Sequence, residues 1–276
     1  MWRIAKPSTT VLVAYRKCTG SVMDSGLKRR FDVSESAVVV ADTLFRAAAG
    51  LGEFGNTKPK NFELPNVTSD EMVWLYRQKM VPKGAPGRVI YDVLRAGAKR
   101  GTCPLCGHRD VMTLDHYLPK STYPALSVNP LNLIPSCSDC NKTKLAGTAS
   151  TIHPYFDNIE DDRWLYARVV EQHPASVRFY PVAPATWSSA LGDRLKSHFE
   201  LLALNRLYAF QAARMLSNLR LLLSDLHAIG GADAVQYRVS DDARSYRNSS
   251  LNSWETAMFE ALAASSWFCD GGFKLT

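Results

Sequence analysis

The stretch CPLCGHRDVMTLDHYLPKSTYPALSVNPLNLIPSCSDCNKTK, residues 103–144, decides the fold predicted for this chain. It begins with the pair Cys103 and Cys106 and closes around the pair Cys137 and Cys140. Two C-x-x-C pairs favour a metal site over disulfides in a chain of this size that we expect to be cytosolic. Four thiolates complete the tetrahedral coordination of Zn²⁺, so the sequence predicts a structural zinc that contributes to folding. The alternative is four incidental cysteines.

Two further cysteines, Cys18 and Cys269, stand alone in the sequence. We expect both to be plain, partly buried thiols.

The 30 residues between the two pairs, 107–136, form an unusually long insert. A zinc ribbon has roughly 15–20 residues there, so the insert is predicted to house further structure. Asp115 and His116 end a short apolar strand, Asn132 lies in a second short strand, and a helix opening near Ser138 carries Asn141. Taken singly, these residues have ordinary alternatives: a surface Asp-His pair, a turn asparagine and a helix-start asparagine.

Taken together, this pattern resembles the HNH endonuclease family, which has a ββα-metal fold. The resemblance covers about 45 residues and includes both cysteine pairs and the motifs LDH, LPK, NPLNL and CNKTK. The third letter of the motif is Asn141 where the family name has histidine, but an H-N-N form is a known active version. The resemblance implies an α+β chain that is mainly helical, with a central ββα-metal nuclease core stapled by the four-cysteine zinc site.

Phosphodiester hydrolysis explains why these residue types would stand together. A water must lose a proton, and an imidazole such as His116 is suited to accept it. A hard divalent ion, Mg²⁺ or Mn²⁺, would neutralise the phosphate, with Asp115 and the side-chain oxygen of Asn141 as its protein ligands. Neighbouring strand residues point to opposite faces, so Asp115 and His116 are expected to take different tasks. The resemblance implies that Asn132 braces the loop that carries the histidine.

The charge of the chain favours an anionic partner. Its 33 Lys and Arg residues exceed its 26 acidic residues, and the formal net charge is +7. Within 77–120, nine basic residues face three acidic ones, a bias that suits a phosphate backbone of DNA or RNA. Lys120 and Lys144 flank the predicted site and are candidates to bind phosphates, or are simply solvated lysines. No apolar stretch is long enough to span a membrane.

The chain divides by pattern into three regions. Residues 1–100 form a basic, mainly helical region with a possible strand at TVLVAY (10–15) and a helix over 36–49, preceded by a capping box at 32–35. Residues 101–150 hold the nuclease core. Residues 151–276 hold a β-hairpin, a helical stretch over 187–229, a polar loop at 240–250 and a last helix.

The motifs LDHYLPKS, NPLNLIPSCSDCNKTK and HPYFD, with helical flanks, are similar to HNH nucleases of bacterial anti-phage systems of the Septu type. There the nuclease works with an ATPase of the ABC or SMC kind, which implies such a protein partner here. The chain lacks a G-x-x-x-x-G-K-[ST] motif, so the ATPase would be another chain. The alternatives are a stand-alone restriction or mobile-element nuclease and a non-catalytic zinc-stabilised binding module. Whether His153 joins the site is left open.

Overall fold

The computed structural model describes residues 2–144 and 151–274. The chain divides into two compact units, Trp2–Asn158 and a second that begins at Ile159. The described parts of the predicted regions 1–100 and 101–150 both fall in the first unit. None of the helices in the described part is long and apolar enough to cross a membrane.

The first unit is built from helices and one short sheet. Its elements are α1 (Val11–Thr19), α2 (Ser25–Val33), α3 (Glu35–Leu51), α4 (Ser69–Lys79), α5 (Arg88–Ala96), β1 (Thr113–His116), β2 (Leu133–Ser136) and α6 (Ser138–Lys144). Strands β1 and β2 are antiparallel, with Thr113 opposite Ser136 and His116 opposite Leu133. Helix α5 packs on both strands and α6 packs on β1. The segment 113–144 is therefore a strand–strand–helix unit.

The N-terminal helices differ from the sequence prediction at two points. The run TVLVAY is not a strand: it opens α1, because Val11, Ala14 and Tyr15 recur at helical spacing and are buried together. The capping box expected at 32–35 is also absent. Ser34 is the N-cap of α3, but its hydroxyl donates to the Arg30 carbonyl at 2.8 Å and makes no cap bond.

Helix α4 begins with reciprocal hydrogen bonds between Thr68 and Glu71. The Thr68 hydroxyl accepts a hydrogen bond from the Glu71 amide at 3.2 Å, and the Glu71 carboxylate accepts one from the Thr68 amide at 2.9 Å. This is a complete capping box. The Glu71 carboxylate also pairs with Arg30 of α2, so the start of α4 is fixed from two directions.

The second unit contains the predicted hairpin, β3 (Leu165–Val170) and β4 (Ser176–Pro181), followed by α7 (Ser189–Leu201), α8 (Leu204–Ser249) and α9 (Trp254–Ala263). The prediction of a polar loop at 240–250 is wrong, because α8 continues through this stretch to Ser249. Val239 and Ala243 bury one side of this stretch, while Arg238 and Asp242 pair one turn apart on the surface. The helix changes direction at Gly230 and Gly231, whose dihedrals are not helical.

Candidate functional site

Four buried cysteines form a cluster that can hold a metal ion such as zinc. The sulfurs of Cys103, Cys106, Cys137 and Cys140 all lie within 4.8 Å of one another. A tetrahedral Zn²⁺ with Zn–S bonds of about 2.3 Å places its sulfurs about 3.8 Å apart, so the cluster has the donor set and the size that zinc requires. The absence of carboxylate or imidazole ligands in the cluster favours a closed, structural site.

Backbone geometry explains why each pair converges. Gly107 has φ 63°, a left-handed conformation that glycine adopts readily, and its amide donates to the Cys103 carbonyl at 2.8 Å. The resulting tight turn carries Cys106, whose sulfur accepts from the Arg109 amide at 3.5 Å. In the second pair, the Cys137 sulfur accepts from the Cys140 amide at 3.4 Å. Such amide contacts stabilise thiolate sulfur.

An ion pair also joins the two halves of the cluster. Arg109 follows the first cysteine pair, and its guanidinium lies 2.9 Å from the carboxylate of Asp139, inside the second pair. The two side chains are 35% and 61% exposed. An exposed ion pair contributes at most about 1 kcal/mol, so a bound metal would contribute most of the attachment of α6 to the first cysteine pair.

The two remaining cysteines lie outside the cluster. Cys18 and Cys269 are almost completely buried, more so than the sequence prediction of partly buried thiols. Burial raises the pKa of the Cys18 thiol to about 12. Both are packed thiols, as expected.

A pocket of about 380 Å³ lies beside the cysteine cluster and brings together four of the predicted site residues, Asp115, His116, Lys120 and Asn141. Asp115 and His116 line it from the end of β1, and Asn141 lines it from the first turn of α6. The Asn141 amide donates to the Cys137 carbonyl at 3.1 Å, so the helix turn that carries Asn141 starts at a cysteine of the cluster. Lys120 also lines the pocket and is half-buried.

The imidazole of His116 is held in a defined orientation. Its Nε2 lies 2.8 Å from the carbonyl oxygen of Ser127. A carbonyl can only accept, so Nε2 carries a hydrogen, and in the neutral imidazole the lone pair is therefore on Nδ1. The ring of Tyr76, from α4, packs edge-on against the imidazole with 4.5 Å between ring centres. His116 is thus fixed by a hydrogen bond and by an aromatic contact.

Asn132 does not line the pocket. Its side chain is completely buried, its Oδ1 accepts from the Leu118 amide at 2.8 Å, and its Nδ2 donates to the carbonyls of Leu118 at 3.0 Å and Leu126 at 3.2 Å. These bonds tie the chain that follows β1 to the loop that leads to Ser127. Asn132 therefore braces the backbone around His116 from inside the core.

Helix α4 contributes two pocket residues that the sequence reasoning missed, Tyr76 and Arg77. Lys142 of α6 is a third. The excess of basic residues over 77–120 was the available signal for Arg77, but nothing in the sequence indicated that α4 would meet β1. The side chain of Lys144, predicted to bind phosphate, lies outside the part of the chain that the structure describes.

His153 packs in an aromatic cluster and does not line the pocket. It is completely buried, its ring stacks on Phe54 with 5.2 Å between centres, and it lies 4.2 Å from the ring of Tyr117. Its Nδ1 accepts from the Tyr155 amide at 3.2 Å. Of the two possibilities left open by the sequence, the structure supports packing.

Comparison with known proteins gives two partial likenesses. Over 234 residues, 79% of this chain, the sequence is 29% identical to Protein ea31 of Escherichia phage lambda, of which the match covers 78%. Over 42 residues, 15% of this chain, it is 50% identical to Septu protein PtuB of Bacillus thuringiensis, of which the match covers 16%. No protein-family model matches the chain, and no solved structure matches it significantly.

Proposed function

We propose that this chain is a metal-dependent endonuclease of the HNH type that hydrolyses phosphodiester bonds in nucleic acid. One observation carries the proposal: a single pocket is lined by Asp115, His116 and Asn141, which come from a strand and a helix beside a four-cysteine cluster. The residue types match the tasks of the reaction, which are proton transfer by an imidazole and the binding of a metal ion that neutralises the phosphate and stabilises the leaving oxygen.

His116 is the proposed general base. The bond from Nε2 to the Ser127 carbonyl leaves Nδ1 as the basic atom, which would take the proton of the attacking water. As that proton arrives, the imidazole becomes positive, and the Ser127 carbonyl oxygen stabilises the charged ring through the Nε2 hydrogen. The carbonyl therefore serves both to select the tautomer and to assist the proton transfer.

Asp115 and Asn141 would hold the divalent ion. When bound, Mg²⁺ or Mn²⁺ supplies positive charge to the phosphate and to the leaving oxygen. The pocket offers one carboxylate and one amide oxygen and is open to solvent, which fits an ion that keeps several waters and takes one or two protein carboxylates. The neutral amide of Asn141 is the weaker ligand of the two.

A cleavage panel tests the proposal. Purified protein is incubated with single-stranded and double-stranded DNA and RNA, with Mg²⁺ and with Mn²⁺. We expect cleavage by the natural chain and a loss of at least about 10²-fold in His116→Ala, the usual scale for a general base. His173→Ala, which changes an exposed histidine of the second unit, is the matched control and should cleave normally. Full cleavage by His116→Ala would exclude His116 as the base.

A different class of function is a zinc-stabilised binding module without catalysis. Asp115→Ala distinguishes the two, because a binding module has no use for a metal-binding carboxylate 5% exposed in the pocket. If Asp115→Ala retains zinc, nucleic-acid affinity and biological function, the binding module is the better description.

The biological role that we propose is anti-phage defence with a separate ATPase of the ABC or SMC kind. The local identity with a Septu protein supports this role. A phage-challenge assay tests it: cells that carry the gene with its genomic neighbours should resist infection, and the His116→Ala gene should not protect. Affinity purification of the chain from its host should recover an ATPase, and its consistent absence would count against the complex.

The runner-up role is a stand-alone nuclease of a restriction system or mobile element. The observation that favours it is the longer of the two likenesses, which is to a protein of a phage. Cleavage by the purified chain alone, at a rate unchanged by any ATPase from its genomic neighbourhood, would favour this role over the defence complex.

A further inference from the structure

Two cations on the wall of the pocket form no salt bridge among the described residues. Arg77 of α4 and Lys120, from the loop after β1, both line the pocket. Among the described residues neither forms a salt bridge, although other arginines of the same unit do: Arg30 pairs with Glu71, and Arg88 pairs with Asp92. The pocket itself holds one carboxylate, that of Asp115. The lining of the pocket is therefore positive before any metal binds.

The two cations are also held near each other by the fold. The Ser69 hydroxyl, at the start of α4, donates to the carbonyl of Ser121 at 2.8 Å, which fastens the helix to the residue that follows Lys120. The Lys120 ammonium lies 5.6 Å from the ring centre of Tyr76, the neighbour of Arg77. A cation over an aromatic face is attracted to the ring, so Tyr76 helps to hold Lys120 against α4.

Lys120 is not a freely solvated surface lysine, because it is half-buried and lies near another positive charge. Burial and the nearby positive charge of Arg77 lower its pKa, while Asp115 opposes the change. Two like charges placed together in a half-buried pocket repel each other. An anion that binds between them removes this repulsion, so the arrangement is better suited to a bound phosphate than to an empty pocket.

We propose that Arg77 and Lys120 form a phosphate clamp that holds the backbone of a nucleic acid across the pocket, with Arg77 supplied by a helix outside the strand–strand–helix segment. The inference rests on the proposed function for its choice of ligand. A guanidinium presents a planar fork that matches two phosphate oxygens, while an ammonium acts as a point charge. Arg77 would therefore fix the orientation of the phosphate, and Lys120 would add charge.

Binding measurements test the clamp without requiring cleavage. The parent protein is His116→Ala, so that any substrate survives, and the probe is a fluorescent 20-nucleotide DNA or RNA of fixed sequence in the absence of added Mg²⁺. Affinity is measured over a range of salt concentrations for the parent and for three proteins that carry a further change: Arg77→Gln, Lys120→Gln, or both. Each lost phosphate contact should reduce the salt slope by about 0.7 on single strands or about 0.9 on duplex DNA.

Two further substitutions, and cleavage measured in the His116-containing protein, separate the clamp from net charge and folding. Arg29→Gln removes an exposed arginine of α2 that lies outside the pocket, and its salt slope should change much less. Arg77→Lys keeps the charge and should restore most of the slope. In the His116-containing protein, Arg77→Gln should lower the cleavage rate, and Arg77→Lys should recover only part of it because the fork is missing.

The outcomes distinguish the clamp from the nuclease proposal. Smaller slopes in Arg77→Gln and Lys120→Gln, but not in Arg29→Gln, support the clamp even if no cleavage is ever found. Equal effects in all three variants, no effect in any, or no binding of DNA or RNA by the parent would overturn it. Cleavage by the natural chain with unchanged affinity and rate in Arg77→Gln would overturn the clamp and leave the nuclease proposal intact.

Discussion

The side-chain amide of Asn132 binds both the N–H and the carbonyl of Leu118, two residues after His116, at 2.8 and 3.0 Å. An amide is the one neutral side chain that offers a donor and an acceptor side by side. It can therefore replace the two strand hydrogen bonds that end when β1 stops at His116. The same side chain reaches Leu126, next to the Ser127 carbonyl that orients the imidazole. Both ends of the loop that surrounds His116 thus depend on one buried residue.

Asn132→Ala should lower both stability and activity. The change leaves the backbone groups of Leu118 and the carbonyl of Leu126 without their partner inside the core, at a cost of about 1–3 kcal/mol for each unsatisfied group. We expect a fall of at least about 2 kcal/mol in the free energy of unfolding, measured by urea titration. Asn132→Asp keeps the size but loses the donor, and should also be destabilised. An unchanged midpoint for Asn132→Ala would contradict the bracing role.

The local order of elements around the site could be predicted from the sequence because the pattern there is dense. The four cysteines cluster as predicted, the strands at Asp115 and near Asn132 pair, and a helix begins at Ser138. Here all the residues that make the contacts lie inside the one patterned stretch, residues 103–144. The hairpin over 165–181 was predictable for the same reason, since alternating apolar residues flank one turn.

The rest of the site depends on contacts between distant segments. Tyr76 meets His116 across 40 residues of sequence, and no local pattern in α4 specifies that meeting. The run TVLVAY has the β-branched residues of a strand, yet tertiary burial of one helical face overrides that preference. The polar stretch remains helical through Ser249 because Val239, just before it, and Ala243, within it, are buried on one side while the other side is solvated.

Removal of the metal should unfold the first unit. Four buried thiols within 4.8 Å would become a cluster of groups without a common partner, and structural zinc contributes on the order of 10 kcal/mol to the folding of small domains. We expect one zinc per chain by elemental analysis, and a large fall in Tm after treatment with a chelator or in Cys137→Ser. Cys18→Ala, which removes a buried thiol outside the cluster, should retain the metal. Full zinc occupancy in Cys137→Ser would exclude the four-thiolate site.

Two glycine substitutions should have opposite effects on stability. Gly231 has φ 63° and ψ −155°, a region that is essentially restricted to glycine. A Cβ there would meet nothing within 4 Å, so Gly231→Ala isolates the backbone cost, which we expect to be about 1–3 kcal/mol. Gly50 of α3 also has open space and an ordinary helical backbone. Gly50→Ala should therefore stabilise the protein by about 0.4–1 kcal/mol. Thermal unfolding of both variants checks the contrast.

Asn141→Asp should tighten the binding of the catalytic metal. The amide of Asn141 lines the pocket with Asp115, and a second carboxylate would add charge where a hard divalent ion binds. Under the nuclease proposal, we expect cleavage to reach half its maximum at a lower Mg²⁺ concentration, by several-fold. Asn141→Ala should shift that concentration upward or abolish cleavage while keeping zinc and fold.

The matched control for this change is Thr143→Asp, which adds the same charge on an exposed position of α6, two residues along. Because Thr143 does not line the pocket, its half-saturating Mg²⁺ concentration should stay close to that of the natural chain. A general electrostatic effect would move both variants equally, whereas a ligand at position 141 moves only Asn141→Asp. If Asn141→Asp and Asn141→Ala both leave the Mg²⁺ dependence unchanged, Asn141 is not a metal ligand. It is then an ordinary residue of the first turns of α6.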